Sequence, residues 1–177
     1  MPITRTRTLF LSPDDDCHAA LLAAARSATK SLHVLIYGFT LPDLVDVLIQ
    51  KQHAGLSVGV VVDHTQASGA TQEPLMQRLV DAGVPVTITT SHGAIMHEKC
   101  LLVDLELGAD HNASLAVYGS WNFSRGANKQ ANHLQSDNDP SICAAFWQQY
   151  QQMQQYGVAH CPQLSPRGAS APAARLS

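Results

Sequence analysis

His97-Glu98-Lys99-Cys100-Leu101-Leu102-Val103-Asp104 is followed, after a gap of fifteen residues, by Ser120-Trp121-Asn122. Leu101 to Val103 is an apolar run of the kind that forms a buried strand. Side chains alternate faces along a strand, so His97 and Lys99 share one face, about 7 Å apart. Leu115 to Tyr118 reads as a second strand that runs into Gly119 and carries Ser120 and Asn122, again two residues apart. If the two strands are neighbours, an imidazole, an ammonium, a hydroxyl and an amide converge. These offer one nucleophile and three groups able to hold anionic oxygens. Asp104 has the parity opposite to His97, and the expectation is that it orients or supports the site without touching substrate.

Upstream, strands and helices alternate. Thr8 to Leu11 is a short strand, and Asp14-Asp15-Asp16 supplies N-cap carboxylates for an alanine-rich helix over Ala19 to Ala28. The acidic triplet reads as a cap and not as a metal site. Ser31 to Phe39 is a central strand. Pro42-Asp43 opens a helix through Gln52, and Leu56 to Asp63 is a β-branched run typical of a strand covered on both faces. Glu73 to Ala82 is helical and Val84 to Thr89 is a further strand. This β-α-β-α order implies at least a partly parallel sheet with helices on its faces. Leu105 to Ser114 reads as a hairpin loop with Gly108, Asp110 and Asn112 as turn formers. Phe123 to Asp139 reads as a polar stretch with Arg125 and Lys129 as local positive charge. A last helix runs from Pro140 to about Tyr156, with Phe146, Trp147 and Tyr150 as core.

Taken together, His97, Lys99 and Asp104, then Gly119, Ser120 and Asn122, resemble the H-x-K-x4-D and G-S-x-N signature of the phospholipase D superfamily. Tyr37-Gly38-Phe39-Thr40 resembles a frequent stretch of its bacterial Nuc-type endonuclease branch. The resemblance in element order runs from about Thr8 to Gln155, with a single copy of the signature. It implies an α/β fold with a mixed, largely parallel β-sheet flanked by helices on both faces. The expected organisation is an N-terminal segment over 1–7, one nuclease-like domain over 8–157, and an unstructured Pro/Ala/Ser-rich tail over 158–177.

The resemblance also implies a mechanism. His97, Lys99 and Asp104 form the catalytic set, and Ser120 and Asn122 bind substrate. Two copies of the chain share one site: one His97 attacks phosphorus while its mate protonates the leaving oxygen. No cofactor and no metal are called for, because paired Lys99 side chains with Asn122 and Ser120 can neutralise the phosphate. One departure stands out. Family members often carry an acidic residue some eleven positions after the Asn of the second motif. Here that region reads Asn132-His133-Leu134, so His133 is the candidate supporting group, with Asp137 as an alternative.

Bulk properties narrow the function classes. The chain of 177 residues suits one domain with a proper core, and 14 % charged against 45 % apolar residues marks it as globular. A net charge of −3 excludes a strongly basic nucleic-acid binder, so phosphate contacts must be local, with Arg125, Lys129, Lys51 and Arg78 as candidates. No run reaches the roughly 20 apolar residues that span a bilayer. Met1-Pro2-Ile3-Thr4-Arg5 lacks a secretory core, so the chain as given reads as cytoplasmic, or as exported with its leader removed. Cys17, Cys100, Cys143 and Cys161 form no C-x-x-C pair. The leading expectation is a homodimeric, metal-independent nuclease acting on DNA or RNA. The competing ones are a lipid phosphodiesterase or phosphatidyl transferase, and a non-catalytic nucleic-acid-binding module.

Overall fold

A computed structural model describes residues 5–106 and 114–167. The turn formers Gly108, Asp110 and Asn112 lie outside the described residues. The chain begins with β1 (Arg7–Ser12) and α1 (Cys17–Ser27), whose N-cap Asp16 accepts the Ala19 amide at 3.0 Å, as the acidic triplet predicts. β2 (Ser31–Ile36) and β3 (Ser57–Asp63) flank α2 (Pro42–His53), which opens on its proline. A four-residue helix α3 (His64–Ala67) and α4 (Glu73–Asp81) lead to β4 (Val86–Thr89). β5 (Lys99–Val103), β6 (Leu115–Gly119), a 3-10 turn over Arg125–Lys129, β7 (Asn132–Asp137) and α5 (Pro140–His160) complete the fold.

The seven strands form one sheet in the order β1-β7-β6-β5-β2-β3-β4. It is mixed, as expected, but the parallel share is smaller than "largely": β2-β3 and β3-β4 are parallel, and the other four pairs are antiparallel. The reason is the connections. Helical crossovers join β2 to β3 and β3 to β4, whereas the chain from β4 to β5 has no helix and returns to the other side of β2.

Period-two alternation sorts the core into two layers. Leu32, Val34, Ile36, Val60, Val62, Leu101 and Val117 pack beneath α1, α2 and α4. Leu35, Val61, Cys100, Leu102 and Ala116 meet Cys143, Tyr150 and Met153 of α5 on the opposite face. Gly157 lets α5 lie directly on β4, since a Cβ there would strike the Ile88 carbonyl. All four cysteines are free thiols.

Two readings need correction. The polar stretch from Phe123 to Asp139 contains the strand β7, inserted between β1 and β6. The tail does not begin at 158: α5 extends to His160, and the chain stays hydrogen-bonded to the sheet and α4 through Arg167. There the Gln163 side chain bonds both the amide and the carbonyl of Ile88, and the Arg167 amide donates to Asp81. Local composition hides these contacts because they are made to residues far away in sequence.

His33, 5 % exposed in β2, lies edge-on to Trp147 and Tyr150 with ring centroids 4.9 Å away in each case. Burial pushes its pKa down to about 4. An unfolded chain takes up that proton near pH 6.5, while the fold refuses it until about pH 4. Stability from this group is therefore full above about pH 6.5 and falls by about 1.4 kcal/mol per unit as pH drops towards 4. Urea unfolding should show His33→Phe gaining about 1–2 kcal/mol on the wild type between pH 7 and pH 5.

Candidate active site

Registers place one end of several strands on a common rim. Ile36 at the end of β2 pairs with Lys99 at the start of β5. Cys100 pairs with Tyr118, and Gly119 at the end of β6 pairs with Leu134 near the start of β7. The ladder continues one step past β2, where the Tyr37 amide donates to the Glu98 carbonyl at 2.8 Å.

His97 and Lys99 meet around Tyr37. The exposed His97 ring stands edge-on to the Tyr37 ring, centroids 4.6 Å apart. Lys99 is 4 % exposed, and its Nζ lies 5.3 Å from the Tyr37 ring centre. The ammonium donates to the His97 backbone carbonyl at 2.7 Å, and both side chains meet the same Tyr37 ring. Burial lowers the Lys99 pKa, opposed by the neighbouring Glu98 charge. A buried ammonium with spare donors is a fit partner for an anionic oxygen.

Ser120 and Asn122 arrive on the same rim from β6. Gly119 is needed because a Cβ would run into the His133 carbonyl, which accepts the Ser120 and Trp121 amides at 3.1 and 3.2 Å. Ser120 Oγ accepts the His133 amide at 3.1 Å and lies 3.2 Å from His133 Nδ1. Ser120 and His133 are thus bound to each other. The loop carrying Asn122 is laced to the loop after β2: Phe123 N donates to Gly38 O at 3.1 Å and Thr40 N to Phe123 O at 2.8 Å. Asn122 Oδ1 is buried without a hydrogen-bond partner among the described residues.

The structure separates Asp104 from this group. It lies at the other end of β5, five residues or roughly 16 Å from Lys99. Its carboxylate accepts Thr29, Lys30 and Ser31 amides at 2.7–3.1 Å and the Thr29 hydroxyl at 2.8 Å, fixing the turn between α1 and β2. Burial acts to raise its pKa, but those hydrogen bonds outweigh it and hold the group below the usual carboxylate range. Asp104 therefore ties the end of β5 to the turn before β2, remote from His97 and Lys99. Asp137 is likewise excluded, since it closes the far end of β7 with Arg7 at 2.7 Å. Two expected phosphate contacts are also committed elsewhere: Lys51 donates to the Arg26 and Ala28 carbonyls, and Arg78 pairs with Asp46. Arg125 and Lys129 are exposed on the turn before β7.

Sequence reasoning missed two residues that hold the site in place. Asp63, fully buried at the end of β3, accepts the Met96 amide at 2.7 Å and so fixes the loop that delivers His97. Gln72 Oε1 accepts the Phe39 amide at 2.7 Å and fixes the loop after β2. The available signal for Asp63 was a single carboxylate closing a buried apolar strand.

Two carboxylates therefore separate by effect. Asp104→Ala should lower unfolding free energy by about 2–4 kcal/mol while the folded fraction keeps its turnover. Asp63→Asn should cost less stability, and should lower kcat at least tenfold while the protein remains folded by circular dichroism, because one amide oxygen cannot serve both Met96 and Thr65 and the His97 loop is loosened.

Residues 21–154 match the family model described as "Cardiolipin synthase, PLD-like domain". A mitochondrial cardiolipin hydrolase from Chlamydomonas reinhardtii is 28 % identical over 128 residues, covering 72 % of this chain and 52 % of that protein. The chain thus spans about half the length of the curated relative it matches. Nuc from Salmonella typhimurium superposes with a TM-score of 0.78 at 22 % identity, covering 92 % of this chain and 99 % of that one. NucT from Helicobacter pylori gives 0.72 at 21 %, covering 86 % and 98 %. These two likenesses show the fold. With the matched region holding His97, Lys99, Ser120, Asn122 and His133, the chain belongs to the phospholipase D-like family.

Proposed function

We propose that the protein is a metal-independent nuclease that cleaves DNA or RNA through a covalent phosphohistidine at a site shared by two copies of the chain. The observation that carries this reading is the exposed His97 imidazole and the buried Lys99 ammonium gathered around one Tyr37 ring. A nucleophile and a fixed positive charge are what attack on a phosphodiester needs. The size match to Nuc and NucT, nearly end to end, supports a nucleic-acid substrate.

Each chain contributes one His97, and the reaction uses two. Neutral His97 attacks phosphorus, the N–P bond forms, and the P–O bond to the leaving group breaks. The leaving oxygen takes its proton from the imidazolium of the second copy's His97. Water then attacks the phosphoryl group, its proton goes to that second imidazole, and the N–P electron pair returns to the first. Lys99 and Asn122 hold the equatorial oxygens, and Ser120 with His133 flanks them. One imidazole must be neutral to attack and the other protonated to donate, which gives a bell-shaped pH profile.

A second reading has its own support. The matched relative is named a cardiolipin hydrolase, and the family model carries cardiolipin synthase in its description. A phosphodiester in a lipid headgroup would meet the same imidazole and ammonium.

Cleavage of nucleic acid in EDTA should persist, and His97→Asn should abolish it. Loss in EDTA with recovery on added magnesium would rule out the metal-free scheme. Coexpression of equal amounts of wild type and His97→Asn should leave about a quarter of the specific activity, since a mixed pair lacks one imidazole. Independent sites would leave half.

A further inference from the structure

Tyr37 is a shared wall. One side of it meets His97 and Lys99, while its hydroxyl accepts a hydrogen bond from Gln66 Nε2 at 3.1 Å beside a separate cavity of about 330 Å³. The cavity is walled by Tyr37, Thr40, Gln66, Gln72, Asn122 and Ser124, with residues 69–71 as its lip. Among the described residues no charged side chain lines it. Its volume sits at the low end of small-molecule sites, about 300–1,000 Å³.

Two residues of this wall carry buried amide atoms without partners. Gln72 is 3 % exposed, and its Oε1 is occupied by the Phe39 amide, while Nε2 has no hydrogen-bond partner among the described residues. Asn122 Oδ1 is in the same condition. A buried polar atom without a partner is destabilising, and a rotation of its amide towards the cavity would let an occupant supply the missing bond. The negative charge of a diester belongs with Lys99 and His97. The neighbouring compartment, uncharged and lined with amide donors and acceptors, suits a neutral planar group with donors and acceptors on its edge.

We infer that this cavity is a nucleoside subsite, seating one unpaired base of a single strand next to the phosphate held at His97 and Lys99. The inference rests on the nuclease reading and adds a substrate class to it. A base inside a duplex has its edge occupied and its faces stacked, so it cannot enter without being extruded. The subsite therefore favours single strands, and the enzyme reads shape and hydrogen-bonding capacity more than charge.

The test compares wild type with Ala70→Trp and Thr71→Trp, two variants of the exposed lip. Substrates are a labelled single-stranded oligonucleotide, its duplex, bis-p-nitrophenyl phosphate and cardiolipin vesicles. Wild type should cleave the single strand at least about tenfold faster than the duplex. Each tryptophan should lower the ratio of oligonucleotide to small-diester kcat/KM about tenfold. An unchanged ratio, with the oligonucleotide still cut, overturns the subsite and leaves the nuclease reading standing. A wild type that opens the small diester but neither nucleic acid overturns both. A loss confined to cardiolipin hydrolysis overturns the inference in favour of a lipid headgroup. The same comparison is made on binding, by fluorescence anisotropy of the labelled strand in a His97→Asn background, where equal Kd values across the lip variants overturn it.

Discussion

β5 runs against β2 and pairs Lys99 with Ile36, so the first residue of one strand lies beside the last residue of the other. That reversal puts a chain entering the sheet next to chains leaving it. Loops of different origin are thereby gathered on one rim: the loop after β2, the loop before β5, and the loop after β6. The register is equally binding. A slip of one residue would turn Lys99 towards α5 and bring the Cys100 thiol to the rim. The two hydrophobic layers guard against it, because Leu101 and Val103 belong under α1 and α2, while Cys100 and Leu102 belong under α5.

A rim of loops is precise only if the loops are tied. Here the ties are backbone amides received by buried side-chain oxygens, Met96 by Asp63 and Phe39 by Gln72. Each reaches across thirty-three residues of chain. The cross-lacing of Gly38, Phe123 and Thr40 adds a third tie. The fully buried Phe39, Phe123 and Trp121 back these contacts with packing. Such support is what holds reacting groups within the narrow geometry that chemistry requires.

What the sequence discloses and what it hides follow one physical division. His97 with Lys99, and Ser120 with Asn122, are legible because their relation is local, two residues apart on an extended chain. The helix starts at Asp16 and Pro42 are legible for the same reason. β7 is not, because Asn-His-Leu-Gln-Ser-Asp carries one aliphatic residue and no alternation. It is a strand because β1 and β6 pair with it on both sides, and α5 packs chiefly over β3 to β6. The roles of Asp63 and Gln72 are hidden because they depend on partners that only the folded chain brings near. The segment after His160 reads as tail by composition, yet Gln163 and Leu164 are fastened to β4 and the core. Parity correctly turned Asp104 away from His97, but only the fold shows that it closes a turn at the opposite end of the strand.

Asp104 changes how the signature itself is to be used. Its first two letters stand on the rim that gathers the loops around Tyr37, and its last letter fastens a turn on the opposite rim of the sheet. A change at either of the first two positions alters what the rim presents, whereas a change at the third loosens the turn between α1 and β2 and leaves that rim in place.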